Sequence, residues 1–172
     1  MLIAAAAIAC AGHVRINSVP DPPPSLRGYL TYTWISQEPP TAGRDGSRAA
    51  ALDAKIRSEV ARWLEIKGYS YRTLGAPDFL IGYRVQVKEK DTETFADLYA
   101  YRQAGGTDSV SEAFGRGYEE GTLVLEFFDA RTRQRLWQTS AAAVLGHEPT
   151  TDRITQAVRR MLEKLPRADA GS

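Results

Sequence analysis

The chain has 172 residues, 43% of them hydrophobic and 25% charged, which is the balance of an ordinary globular domain large enough to bury one core. Its 22 basic and 21 acidic residues leave a net charge of +1, so no global field draws it to nucleic acid. A single cysteine excludes an internal disulfide and a tetrahedral thiolate metal site.

Residues 1–9 are apolar and uncharged but far shorter than the roughly 20 residues that cross a bilayer. They resemble the remnant of a secretory signal, without its basic n-region. Ala7-Ile8-Ala9-Cys10 resembles a bacterial lipobox, with Ala7 where Leu is usual. The expectation is that Cys10 carries a lipid and becomes the mature N-terminus; the alternative is a buried structural cysteine. Residues 10–27, with Pro20, Pro22, Pro23 and Pro24, read as a Pro-rich tether in polyproline II conformation.

GYLTYTWIS (28–36) alternates as a strand, with Leu30, Tyr32 and Trp34 on one face. After a Pro- and Gly-rich break, Ser47 caps a helix whose Leu52, Ile56, Val60, Trp63 and Leu64 form one stripe. Asp53 and Arg57 lie on its wet side and Gly68 ends it. A short strand and turn lead to a longer strand with Phe79, Ile81, Tyr83, Val85 and Val87 inward. Residues 90–120 carry little pattern; FADLYAYR reads as a further strand, and Gly115 to Gly121 as a loop. Strands over 121–130 and 135–145 form an antiparallel hairpin. A last helix starts at Thr150 or Thr151, carries Ile154, Val158, Met161, Leu162 and Leu165 on one stripe, and stops at Pro166. The expected fold is α+β, a two-layer sandwich in which two amphipathic helices cover one face of a mainly antiparallel sheet of four to six strands. The domain spans 28–166, residues 167–172 form a disordered tail, and all or part of the second sheet face stays wet.

Tyr32-Thr33-Trp34, Pro77-Asp78-Phe79, Gly121-Thr122-Leu123-Val124, Asp129-Ala130 with Thr132, Leu136-Trp137 and Leu165-Pro166 occur in this order. Together they resemble the bacterial lipoproteins of domain-of-unknown-function family 4136 over residues 28–166, although Thr139 stands where that family usually has Gly. The resemblance implies an α+β lipoprotein of the bacterial cell envelope, anchored in the outer membrane and facing the periplasm. It implies no catalytic residue.

The residues themselves supply no catalytic set. His13 lies in the tether and His147, beside Glu148, in the loop before the last helix; neither has a positioned nucleophile. The glycines from Gly115 to Gly121 have the wrong spacing for a dinucleotide fingerprint and lead into a strand, and Glu119 and Glu120 point to opposite faces. No cofactor or metal is expected. Arg131, Arg133 and Arg135 crowd the hairpin connection, where they are either a solvated turn or a grip on anionic headgroups. Trp34, Trp63 and Trp137 fall on core faces. The leading expectation is a binding module with two contacts, the membrane through its N-terminal lipid and an envelope protein or amphiphile, and none with nucleic acid. An envelope hydrolase with its site in 90–120 or near His147 is the alternative, and a purely structural spacer a third.

Overall fold

In the computed structural model, residues 15–19, 26–35, 46–103, 105–145 and 151–169 are described. Six strands form one mixed sheet: β1 (Arg15–Val19), β2 (Thr31–Trp34), β3 (Ser70–Tyr71), β4 (Phe79–Asp91), β5 (Gly117–Asp129) and β6 (Arg135–Leu145), in the spatial order β1-β6-β5-β4-β2-β3. The helices are α1 (Gly46–Ile66), α2 (Phe95–Gln103), α3 (Val110–Ala113) and α4 (Thr151–Glu163).

β4, β5 and β6 form an antiparallel centre, with a bulge at Phe127/Phe128. β2 runs parallel to both β4 and β3, because α1 carries the chain across the sheet between β2 and β3. Odd-numbered positions of the three central strands face the helices: Phe79, Ile81 and Tyr83, then Leu123, Leu125 and Phe127, then Trp137 and Ala141. Ile56, Val60 and Leu64 of α1 and Val158, Met161 and Leu162 of α4 close over them. Both apolar stripes read from the sequence thus cover one face of one sheet, as an α+β sandwich requires. Gly68 ends α1 with φ +92°: its N–H donates to the Glu65 carbonyl while the Tyr69 N–H donates to that of Leu64, a Schellman closure.

Five expectations are corrected. Arg15–Val19, read as tether, is an edge strand in register with β6, Arg15 opposite Ala142 and Val19 opposite Gln138. Residues 167–169, read as tail, are held by the Ala168 N–H on the Lys67 carbonyl and the Gly28 N–H on the Asp169 carbonyl. FADLYAYR is helical. Its aromatics raise strand propensity, but Thr94 caps it: Thr94 Oγ1 bonds Asp97 at 2.6 Å and accepts the Asp97 N–H. Gly117–Gly121 belongs to β5 and not to a loop. Leu30, expected inward with Tyr32, is exposed.

Candidate functional site

The arginine-rich connection is built on one carboxylate. Asp129 closes β5, where its Oδ1 accepts the Thr132 N–H and hydroxyl at 2.5 and 2.8 Å and its Oδ2 accepts the Tyr29 hydroxyl at 2.6 Å. The Tyr29 bond, with the Thr132 donors, pulls its pKa down to about 2. Arg133 takes up φ 61°, the left-handed turn that lets the chain reverse. Arg131 and Arg133 stay exposed at this tip, whereas Arg135 turns along the sheet to Glu126 (3.2 Å) and Gln138 (2.9 Å). Arg84 bonds the other oxygen of Glu126 at 2.5 Å. The three arginines therefore do not converge: two line the tip, and the third joins a charge ladder on the second sheet face.

Next to the tip, Asp78 opens β4 and holds β2. One oxygen accepts the Leu30 and Thr31 N–H groups and the Thr31 hydroxyl at 2.7 to 2.9 Å, and the Asp78 carbonyl accepts the Ala130 N–H. Burial alone would raise the Asp78 pKa, but these donors hold it below the usual carboxylate range.

At the opposite end of the sheet, residues 92–116 make an excursion between β4 and β5. α2 lies against β5 and β6, fixed by the Tyr118 hydroxyl on Asp97 at 2.9 Å. Strand alternation puts Tyr118 on the face away from α1 and α4, so α2 covers part of the second face. Its outward stripe is Phe95 (76% exposed), Tyr99 (63%) and Arg102, at i, i+4 and i+7. Phe95 meets Phe114 edge-on at 5.8 Å, and Val110 of α3 is also exposed. Within the excursion, Ser109 and Glu112 form a capping box on α3, and Tyr101 bonds Asp108 with its ring against Gly106. The Ser109 and Ser111 hydroxyls lie 3.3 Å apart, and Ser109 is the member engaged in the cap.

A third cluster joins α1 to the sheet. Arg57 bonds Asp53 at 2.8 Å and stacks 4.8 Å from the Trp34 ring, and Tyr83 donates to the same Asp53 oxygen. Burial and the Asp53 carboxylate push the Tyr83 hydroxyl well above its ordinary value. The pair read as the wet side of α1 is half-buried: Arg57 lies over the Trp34 and Tyr83 rings, and Asp53 accepts the Tyr83 hydroxyl. Trp137 is fully buried, and Trp34 and Trp63 are half-buried against the core.

Glu119 and Glu120 occupy opposite faces of β5, and Glu120 pairs with Lys90 at 3.0 Å. Cys10, His13, His147 and Glu148 lie outside the described residues. Among the described residues no three metal-ligating side chains gather, and no helix is long and apolar enough to cross a membrane. The aromatic stripe of α2 was missed in the sequence, although Thr94-x-x-Asp97 followed by Leu98 and Tyr101 carries a capping box and an inward spacing that could have revealed it.

No curated protein matches this chain. Two crystal structures of PelC dodecamers from Paraburkholderia phytofirmans resemble it with a TM-score of 0.52 at 9% and 11% identity, covering 91% of this chain and 98% and 99% of theirs. A PDZ domain protein from Parabacteroides distasonis gives 0.51 at 12% identity, over 93% of this chain and 38% of that one. At these identities the likeness is one of fold. Residues 16–167 match the domain of unknown function DUF4136, and the chain belongs to that family.

Proposed function

We propose that this protein is a lipid-anchored domain of the bacterial cell envelope, facing the periplasm from the outer membrane, that docks to an envelope protein or amphiphile and carries out no catalysis. The observation that carries docking is the edge of the sheet. β1 ends the strand order, and alternate backbone N–H and C=O groups along its five residues point away from β6. Such a row is a template for a further strand. The exposed guanidinium groups of Arg131 and Arg133 supply contacts for anionic groups at the hairpin tip. The dodecameric state of the PelC structures supports association through surfaces of this architecture. Attachment at Cys10 rests on Ala7-Ile8-Ala9-Cys10 and on the likeness to envelope lipoproteins.

The edge is tested by photo-cross-linking in the envelope, with Asn17→Pro and Ser18→Pro compared. Neighbouring residues send their N–H groups to opposite sides of a strand, so one substitution breaks a bond to β6 and the other removes an outward donor. The outward one should abolish the cross-link while leaving the fold intact. Turnover of an ester, peptide or glycan by purified domain, lost on one conservative replacement, would contradict docking.

A further inference from the structure

We propose that the exposed aromatic stripe of the α2–α3 excursion, Phe95, Tyr99, Val110 and Phe114, seats in the interface of the membrane that holds Cys10. The inference rests on the lipid-anchor reading and adds the orientation of the domain. β1 runs antiparallel to β6 with Arg15 opposite Ala142 and Val19 opposite Gln138, so its first residue is the one nearer Leu145. Leu145 lies opposite Glu119, and the excursion leaves the sheet just beyond, between Asp91 and Gly117. The start of β1 and the aromatic stripe thus lie toward the same end of the sheet. Five peptide units separate Cys10 from Arg15, a reach of roughly 17 Å at full extension, so the bilayer surface cannot be far from that end.

The chemistry of the patch suits an interface. Phe95 and Tyr99 lie on the exposed side of α2, Phe95 meets Phe114 edge-on to make an apolar pair, and Tyr99 adds an exposed amphipathic ring one turn further along. Amphipathic aromatics of this kind settle at the headgroup boundary. Three carboxylates of the excursion are turned to partners, Asp97 to Thr94 and to Tyr118 of β5, Asp108 to Tyr101 and Arg116, and Glu112 to Ser109, while Glu93 is exposed. Acidic groups gain nothing from anionic lipid, so a zwitterionic surface should suffice.

The single thiol makes the test direct. Full-length protein coupled through Cys10 to a maleimide lipid in phosphatidylcholine vesicles containing brominated lipid is compared as Phe95→Trp and as Leu74→Trp, which reports the exposed loop at the opposite end. The added Trp at 95 should lose about twofold more emission than that at 74. Hydrogen exchange of the coupled wild-type chain, read at 95–114 against 130–134, gives the same answer without substitution. Equal quenching at both ends, or a concentration-dependent emission shift of Phe95→Trp without lipid, would overturn the proposal, the latter in favour of a second copy. Chemical coupling reads the stripe whether or not cells acylate Cys10. An unmodified Cys10 in the envelope would separately remove the anchor, and with it this orientation.

Discussion

Asp78 and Asp129 stand at neighbouring corners of the β4–β5 ladder, where Phe79 lies opposite Asp129, and each gathers donors from a segment that would otherwise be loose. Asp78 satisfies β2, and Asp129 satisfies the hairpin and Tyr29. Both carboxylates titrate below their ordinary range, so both bind a proton less readily folded than unfolded. Their contribution is complete above the unfolded value of about 3.9 and is lost as pH falls toward the folded value, about 2 for Asp129. Urea midpoints should therefore drop between about pH 4 and 2, and Asp78→Asn with Asp129→Asn should flatten that drop. At neutral pH, Asp78→Ala should cost about 1–2 kcal/mol, because it removes the acceptor of the part-buried Thr31 N–H and hydroxyl, whereas the exposed Leu30 N–H can turn to water. Trp137, 1% exposed and packed 5.2 Å from the Phe127 ring, should cost about 3–5 kcal/mol on Trp137→Ala in urea denaturation. A loss under about 1 kcal/mol would place that ring outside the core.

Among the elements, those with one clear period were legible and those with competing signals were not. Ile56, Val60 and Leu64 and then Val158, Met161 and Leu162 repeat at helical spacing, and each set is buried where its stripe predicts. The β5–β6 hairpin was equally legible, since its polar RTRQ divides two apolar strands. α2 was not, because Phe95, Tyr99 and Tyr101 favour strand while the deciding signal sits in the cap at Thr94. Thr94→Ala should cost about 1 kcal/mol locally and raise amide exchange over 95–103 while β5 remains protected. β1 was hidden for another reason. RINSV has little alternation of its own, and its place is set by the free edge of β6, a long-range pairing that no local pattern encodes. Of the candidate site, the tip arginines could be read from the chain, but the turning away of Arg135 to Glu126 depends on a cross-strand neighbour.

For the whole molecule, the paired β1 and the docked residues 167–169 enlarge the folding unit beyond the span its apolar patterns outline. A fragment of residues 15–169 should be more stable in urea than one of 25–166, which exposes the β6 edge and removes the Ala168 and Asp169 backbone bonds. If Cys10 carries the proposed lipid, the start of β1 and the aromatic stripe lie toward the anchored end, and the lipid would set how the domain meets its surroundings. The direct measurement is mass spectrometry of the mature protein recovered from a bacterial envelope, expressed behind a signal with a basic n-region. A lipid anchor requires an N-terminal peptide that begins at Cys10 and carries a diacylglyceryl group; a mature chain that begins elsewhere, or at an unmodified Cys10, would rule the anchor out.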